Sequence, residues 1–450
     1  MTETRPRVDI SQVIDNSRVG SFQIGVYILC ALCLIMDGFD VQAMGYVAPA
    51  IVQEWKIRSA QLGPVFGAAL FGVLIGSLLF SMLADKIGRR PVLIGVTLFF
   101  SALTFLTAHA GSLREMLVIR LIAGMGLGGI MPNAVALVGE YSPRRTRAAT
   151  MMIVANGFSA GAAIGGFIAA WLIPAFGWRS VFYFGAAAPL GIAVAMIVWL
   201  PESLPFLVVR GLVVKGKPLE RAAQWLKRLD PSAPDPAATE YVAHEKSRRG
   251  LPIVYLFYDG RAVATILLWI LNFMNLLNLY FLASWLPTVV KDAGYSTSTA
   301  VLAGTTMQAA GVIGAVALGW LVRRLGFVPV LTAGFAVACV NIALIGQPGL
   351  SLALLFVVVF LAGLGIVGGQ AGLNALAATY YPTNLRSTGI GAGLGVGRIG
   401  AIIGPVVGGG LMGLHWSAQR LFLAAAAPAL ISALVMLAMG ARYTLRPHER

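Results

Sequence analysis

"LADKIGRRPVL", residues 83–93, decides the organisation of the chain, because a similar stretch, "LVRRLGFVPVL", occurs again at residues 321–331. Gly88 pairs with Gly326 in the two stretches, and Pro91 pairs with Pro329. A stretch that returns once, far along the chain, indicates an internal repeat.

Other stretches repeat with nearly the same spacing. "AGMGLGG" (123–129) returns as "AGLGIVGG" (362–369), and "EYSPRRTRA" (140–148) returns as "TYYPTNLRS" (379–387). Within the apolar runs, Asp37 and Asp40 align with Asn275 and Asn278. The chain is therefore predicted to contain two copies of one unit.

The composition indicates an integral membrane protein. Of 450 residues, 58% are hydrophobic and 11% are charged, whereas soluble domains carry about 25% charged residues. A spanning helix needs about 20 apolar residues. Twelve predicted spans lie at 22–48, 62–83, 92–109, 116–138, 149–174, 181–200, 262–287, 301–322, 328–347, 351–379, 388–412 and 421–440. We predict an all-α membrane fold of two parallel six-helix repeats, an architecture found in alternating-access transporters.

The net charge of +15 is explained by topology rather than by nucleic acid binding. Lys and Arg concentrate in the loops near 86–90, 144–147 and 323–324 and in the middle segment, all on one side of twelve spans. Cytoplasmic loops of membrane proteins carry this excess. We expect a tail at 1–21, a six-helix bundle at 22–200, a linker at 201–261, a second bundle at 262–440 and a tail at 441–450. Tails and linker are predicted to be cytoplasmic, and we expect no cleavable signal in the first 20 residues, which have no apolar core.

Four charged residues are predicted to lie within spans: Asp37, Asp40, Arg120 and Arg398. A charge at mid-bilayer costs roughly 2.5–3.5 kcal/mol or more, so it usually faces the bundle interior and has a function. Asp37 and Asp40 lie on one helix face, about 5–6 Å apart at Cβ. Two such carboxylates would titrate as a unit and could hold a proton. The alternative is a static Asp–Arg pair that joins helices.

Polar side chains of the second unit are candidates for contacts with a substrate. Asn272, Asn275 and Asn278 form a stripe on the seventh span, and amides bind carboxylate and hydroxyl oxygens without a net charge. Their alternative role is hydrogen bonding between helices. Further candidates are Gln370 on the tenth span and the aromatic side chains of Tyr280 and Trp285, which would stack on a ring or lie in the interfacial belt.

Other residue patterns exclude several classes of site. The glycines of "GMGLGG" lie mid-span with no preceding strand, which excludes a dinucleotide loop. Cys30 and Cys33 have CxxC spacing, but both lie in a predicted span, which fits neither a zinc site nor a disulfide. The four histidines are scattered, so no catalytic set is predicted. We expect no enzyme activity, no metal and no cofactor, with the proton as the coupling ion.

The loop at 83–93 resembles the signature loop of the major facilitator superfamily, Gly-x-x-x-Asp-x-x-Gly-Arg-Arg. Asp85, Gly88, Arg89 and Arg90 match it, and Ser81 replaces the leading Gly. The resemblance implies a charge network that opens and closes with the two halves. Arg147, from the repeated stretch at 140–148, is a further candidate for this gating.

Within that superfamily the chain resembles the aromatic acid:proton symporter family. "DGFDVQAMGYVAPAIVQEW" (37–55) is similar to its first-helix signature, which implies that Asp37 and Asp40 are required for transport. Arg398 corresponds to an Arg in the eleventh helix of the family. The resemblance implies that it contacts a substrate carboxylate. Arg120 falls in a fourth-helix motif of the superfamily that is linked to proton coupling.

Two departures from the pattern are notable. Leu204 and Pro205 replace a small residue and an Arg after the family's Pro-Glu-Ser, and Arg323 stands where the second signature loop often has an acid.

The resemblance implies proton-coupled import of an aromatic carboxylate, such as a hydroxybenzoate or benzoate, across a bacterial inner membrane. We expect the chain to function as a monomer in the lipid bilayer. Two alternatives stay open at this stage. One is a symporter of a non-aromatic organic acid, such as muconate or a sugar acid. The other is a membrane sensor that binds such an acid without moving it.

Overall fold

The computed structural model describes residues 7–213, 217–229, 240–242, 252–382 and 385–442. Twelve of its helical segments are long and apolar enough to cross a membrane, which confirms the predicted all-α membrane fold. Spans 1–6 comprise the helices Ser21–Trp55, Gly63–Ile87, Arg89–Ala108, Leu113–Gly128 with Ile130–Tyr141, Arg144–Ala155 with Gly157–Phe176, and Arg179–Trp199. Spans 7–12 comprise Ala262–Asp292, Thr297–Leu325, Phe327–Ile345, Leu352–Tyr380, Arg386–Gly413 and Ala418–Arg442. We call spans 1–6 the N-half and spans 7–12 the C-half.

The loops between the twelve spans lie on two membrane faces. The linker face carries the N-terminal segment from residue 7, the described parts of the segment 201–261 and the loops that join spans 2–3, 4–5, 8–9 and 10–11. The opposite face carries the remaining loops, one of which contains the 3₁₀ turn Ser59–Leu62.

Short turn signals explain where several spans begin and end. Ser112, Ser296 and Ser351 each accept a hydrogen bond from the backbone N–H three residues later, which caps spans 4, 8 and 10. Gly88 (φ 105°) and Gly326 (φ 86°) end spans 2 and 8 at equivalent places in the two repeats. Only glycine adopts this left-handed backbone without strain, which explains why both copies of the loop keep it.

Span 1 extends beyond its predicted end. Its helix continues past residue 48 to Trp55, with Pro49 inside it. Asp37 and Asp40 therefore lie at the middle of the helix, and the middle is the most costly depth for a charge.

The internal repeat is confirmed by matching helix contacts. Span 5 packs on span 1 where Gly161 meets the carbonyl oxygen of Ile35, and span 11 packs on span 7 where Gly400 meets that of Phe273. Span 4 packs on span 2 at Gly124 and Ala69 in the same way, and span 10 packs on span 8 at Gly363 and Met307. A Cβ at any of these glycines would collide with backbone, so the close approach of the helices requires glycine.

The segment between the halves contains the helices Leu204–Val213 and Lys217–Leu229 and the 3₁₀ helix Pro252–Phe257. A short helix, Ile10–Asn16, precedes span 1. The strands Arg7–Asp9 and Glu240–Val242 pair in parallel and connect the N-terminal segment with the linker. Trp225 stacks on Phe22 of span 1 with ring centroids 5.8 Å apart. All of the predicted tail at 441–450 except its first two residues lies outside the described residues.

Candidate functional site

Asp40 is held in a closed network inside the N-half. Its Oδ2 accepts a hydrogen bond from Nη1 of Arg120 on span 4 at 2.8 Å, and its Oδ1 accepts one from the Thr104 hydroxyl on span 3 at 2.8 Å. The Arg120 guanidinium also lies 4.7 Å above the Phe182 ring of span 6, within cation–π range. Four spans of the N-half thus meet around one ion pair.

The Asp40–Arg120 pair is almost completely buried, with the two residues 1% and 2% exposed. Removing one member of such a pair leaves an uncompensated charge, which costs about 3–5 kcal/mol. The N–H groups at Nε and Nη2 of Arg120 have no partner among the described residues. Loss of Asp40 would therefore leave the Arg120 guanidinium with still fewer hydrogen-bond partners.

Asp37 differs from Asp40 in lacking a hydrogen-bonded partner among the described residues. It is only 5% exposed, yet its carboxylate forms no hydrogen bond or ion pair with any residue that the structure describes. It interacts electrostatically with Arg398 on span 11, in the other half, as well as with Asp40. Arg398 is half-buried and likewise has no hydrogen bond or ion pair with a described residue.

Tyr280 of span 7 joins this group, because it interacts electrostatically with both Arg398 and Asp37. An acid from the N-half, a base from the C-half and a phenol therefore share the space between the halves. Opposite charges at this depth that form no hydrogen bond or ion pair with a described residue can bind a charged ligand or a proton.

An amide network extends the site along the C-half. Nδ2 of Asn275 donates to Oε1 of Gln370 at 2.8 Å, and Nε2 of Gln370 donates to Oδ1 of Asn272 at 3.0 Å. Asn374 accepts from Gln370 at 3.4 Å. Gln370 and Asn374 are half-buried, whereas Oδ1 of Asn275 is buried and has no partner among the described residues. The network joins spans 7 and 10, as expected for the alternative role in helix packing, and its Asn272 also packs against Gly393 of span 11.

Three predicted substrate contacts, Asn275, Asn278 and Trp285, are inaccessible in this conformation, each with 0% of its surface exposed. Asn278 is 0% exposed, and both polar atoms of its amide lack a partner in the described part of the chain. Trp285 is also 0% exposed, and its Nε1 donates to the Pro405 carbonyl at 3.0 Å. Sequence spacing places the three asparagines on one helix face, but it does not show whether another helix covers that face.

The halves are joined on the opposite-face side of Asp37 by residues that sequence reasoning missed. Gln42 donates from Nε2 to the Ala283 carbonyl at 2.8 Å and accepts from Nε2 of Gln308 at 2.8 Å. Both glutamines are buried. Each is a single polar residue in an apolar span, and this signal does not distinguish a bond between the halves from ordinary helix packing.

Apolar contacts complete this closure, which we call the seam. Phe66 meets Trp285 edge to face with ring centroids 5.2 Å apart. A Cβ on Gly63 would lie 3.1 Å from the Cα of Gly409. Between these contacts and Asp40 remains a cavity of about 30 Å³, enough for one or two water molecules.

The described hydrogen bonds between the halves all lie on the opposite-face side of Asp37. They are those of Gln42 with Ala283 and with Gln308, that of Ser298 with the Ala170 carbonyl, and that of Tyr46 with Thr305. Among the described residues, no hydrogen bond joins the halves on the linker-face side of Asp37.

The signature loop lies in a charge cluster on the linker face of the N-half. Oε1 of Glu202 accepts from the backbone N–H groups of Arg89 and Arg90 at 2.9 and 3.1 Å and thereby caps span 3. Arg89 pairs with Glu140 at 2.8 Å. A Cβ on Gly88 would collide with the Glu202 carboxylate. Glu202, which belongs to the Pro-Glu-Ser segment, is thus a residue of this cluster whose contacts the sequence did not reveal.

The remaining gating candidates occupy the same face. Arg147 pairs with Asp15 of the N-terminal segment at 3.0 Å and donates to the Ser142 carbonyl. Asp85 is exposed and has no partner among the described residues. The structure therefore places Arg89, Arg90 and Arg147 in contacts within the N-half and leaves Asp85 free.

Comparisons with known proteins agree with this architecture. The sequence profile described as Major Facilitator Superfamily matches residues 30–392 and 268–450. The chain is 37% identical over 434 residues to the 4-hydroxybenzoate transporter PcaK of Pseudomonas putida, covering 96% of each chain. It is 36% identical to the gallate transporter of Pseudomonas putida, covering 96% of this chain and 95% of that one.

A solved structure has the same fold. A bacterial homologue of the human lysosomal transporter Spinster, in an inward-facing and occupied conformation, superposes with a TM-score of 0.72 at 16% identity. The match covers 96% of this chain and 100% of that one. With twelve spans, a twofold repeat and these relatives, the chain belongs to the aromatic acid:proton symporter family of the Major Facilitator Superfamily, whose members are membrane transporters and not enzymes.

Proposed function

We propose that this protein imports an aromatic carboxylate of the hydroxybenzoate or benzoate type together with a proton, by alternating access. The observation that carries the proposal is a pair of opposite charges, Asp37 and Arg398, that interact electrostatically across the two halves and form no hydrogen bond or ion pair with a described residue. The names of the relatives, a 4-hydroxybenzoate transporter and a gallate transporter, support the substrate class.

Arg398 is the residue proposed to bind the substrate carboxylate, because a guanidinium holds a carboxylate through two parallel hydrogen bonds. Tyr280 lies beside it and offers a ring for stacking and a hydroxyl. The half-buried Gln370 is proposed to bind ring hydroxyl groups, and the buried Asn272 and Asn275 hold its amide in place. An amide binds a hydroxyl group without adding charge to the site.

Asp37 is the residue proposed to carry the proton. Its carboxylate is buried and has no partner in the described part of the chain, so no side chain there has to move when it gains or loses a proton. Asp40 is held by Arg120 and Thr104. We therefore propose that Asp40 and Arg120 remain bonded to each other and hold span 1 in place beside Asp37, rather than exchange protons with solvent.

Charge balance couples the two fluxes. In the empty carrier, ionised Asp37 balances Arg398. In the loaded carrier, protonated Asp37 is neutral, and the substrate carboxylate balances Arg398. Both states have a neutral site, whereas a carrier with only the proton or only the acid has a net charge. Closing low-dielectric protein around a net charge is costly, so only the empty and the fully loaded carriers cross between the two open states.

The cycle conserves atoms and charge. Asp37 takes up one proton from the opposite face and the acid anion binds Arg398, the halves rock, and both leave at the linker face. We propose that the linker face is cytoplasmic, because its loops carry the excess of Lys and Arg, and that the membrane is a bacterial inner membrane. The site lies between the halves of one chain, which supports a monomer as the functional unit.

The test is uptake of radiolabelled 4-hydroxybenzoate and benzoate in proteoliposomes with an inward proton gradient. We expect accumulation that a protonophore abolishes and that a non-aromatic acid such as muconate does not inhibit. Uptake that is indifferent to the protonophore would exclude symport. Accumulation of muconate in place of the aromatic acids would exclude the substrate class.

A further inference from the structure

A second candidate site lies on the opposite face of the protein, next to the seam. A groove of about 270 Å³ is lined by Ile57, Arg58, Ser59, Ala60, Met412, Gly413 and His415. Residues 57–60 belong to the loop between spans 1 and 2, and residues 412–415 end span 11 and begin the next loop. The groove therefore has one wall from each half.

Two side chains that can carry positive charge flank this groove. Arg58 and His415 are both exposed, and neither side chain forms a hydrogen bond or ion pair with a residue that the structure describes. Glu54 is the acid nearest to Arg58 in the sequence. Its carboxylate accepts hydrogen bonds from Arg179 at 2.7 Å and from Nε1 of Trp178 at 2.8 Å. The charge of Arg58 is consequently available to an anion.

The floor of the groove is the seam itself. A Cβ on Gly409 would lie 3.0 Å from the Ala60 carbonyl oxygen and 3.0 Å from the Cα of Gly63. These are contacts between the halves, and they must separate before the central site can open to this face. A ligand in the groove would thus lie above the place where the path to Asp37 opens.

We propose that this groove is a docking site in which Arg58 and His415 hold the carboxylate of an organic acid with a small apolar body before the seam opens. The two basic groups suit the carboxylate, and Ile57 and Met412 suit the apolar body. The groove volume is close to the lower end of small-ligand pockets, which begin at about 300 Å³. The assignment of the acid as substrate rests on the proposed function, but the docking itself does not.

The experiment measures protection of a cysteine in the groove. Ser59→Cys is introduced together with Cys339→Ala, since Cys30 and Cys33 are buried. The protein is reconstituted in phosphatidylcholine vesicles and labelled from the opposite face with a charged, membrane-impermeant maleimide at increasing concentrations of benzoate. We expect benzoate to slow the labelling of the introduced thiol.

Three variants separate docking from other causes. Arg58→Gln should raise the benzoate concentration for half-protection about tenfold, the loss expected for a charge-assisted hydrogen bond. Arg114→Gln, which removes an exposed cation from the first turn of span 4 on the same face, should leave protection unchanged. Arg398→Ala should also leave it unchanged, which distinguishes docking from binding at the central site. Arg58→Gln should raise KM for uptake at unchanged kcat.

The outcomes are separable. If protection disappears in Arg398→Ala, benzoate acts at the central site and the docking site is contradicted. An effect of Arg114→Gln equal to that of Arg58→Gln would also contradict it. If labelling is already slow without benzoate in vesicles that contain phosphatidylglycerol, a lipid headgroup occupies the groove. This result would also overturn the proposal. Protection in Arg398→Ala with no benzoate uptake by the wild type would support the docking site and contradict the proposed substrate.

Discussion

Asp37 and Asp40 lie about one turn apart on span 1, yet among the described residues only Asp40 is hydrogen-bonded to other side chains. Asp40 binds Arg120 and Thr104, each at 2.8 Å, inside the N-half. Asp37 interacts electrostatically with Arg398 of the other half and forms no hydrogen bond or ion pair with a described residue. This difference divides their roles: Asp40 supports the site, and Asp37 is the group free to exchange a proton.

The first prediction concerns the buried ion pair. Asp40→Asn removes one charge and leaves Arg120 buried with a weaker partner, so we expect the free energy of unfolding to fall by about 3–5 kcal/mol. Thermal denaturation of the purified protein would register this as a lower Tm. The double variant Asp40→Asn/Arg120→Gln removes both charges and should recover part of the loss. An Asp40→Asn protein as stable as the wild type would show that the pair contributes nothing to the fold.

The second prediction concerns stoichiometry. If Asp37 alone exchanges a proton, one proton accompanies one monovalent anion and transport is electroneutral. Benzoate uptake should then follow the pH gradient and be insensitive to a membrane potential set with potassium and valinomycin. Acceleration by an inside-negative potential would indicate more than one proton per acid, and Asp40 would then have to take part.

The third prediction concerns the closure of the opposite face. Gln42→Met keeps the size of the side chain but removes its bonds to Ala283 and Gln308. Each hydrogen bond contributes about 0.5–1.5 kcal/mol, so we expect the equilibrium to move roughly tenfold toward the state that is open to the opposite face.

Distances between spin labels on the opposite face would measure this shift. Arg114 and Arg420 are exposed there on different halves and can be replaced by labelled cysteines. Gln419→Met is the matched control, because Gln419 donates to Gln347 at 3.1 Å within the C-half. An unchanged distance distribution in Gln42→Met, or an equal change in the control, would show that the Gln42 bonds do not stabilise the closure.

The fourth prediction concerns Asn278, which the sequence stripe assigned to substrate binding and which is fully enclosed here. An unpartnered buried amide costs about 1–3 kcal/mol, and an apolar residue of similar size removes that cost. We expect Asn278→Leu to raise Tm and to keep the wild-type KM for benzoate. A large increase in KM would return Asn278 to the substrate site.

The sequence predicted the repeat and therefore most of the architecture, because Gly161 and Gly400 hold equivalent positions in two similar halves. It also identified all four membrane-embedded charges, because an ionisable residue is conspicuous in an apolar span. It did not predict that Arg120 pairs with Asp40 rather than Asp37, since a shift of one turn on one helix decides the partner. It missed Thr104, Gln42 and Gln308, because single uncharged polar residues are common in spans.

The most direct test of the proton role of Asp37 compares two transport modes of Asp37→Asn in proteoliposomes. The amide mimics the protonated carboxyl group but cannot release a proton, so the loaded carrier should still cross while the empty carrier, with Arg398 unbalanced, should not. We predict that benzoate counterflow persists and that accumulation driven by a proton gradient is lost. Accumulation by Asp37→Asn at the wild-type level would contradict the assignment of Asp37 as the proton carrier.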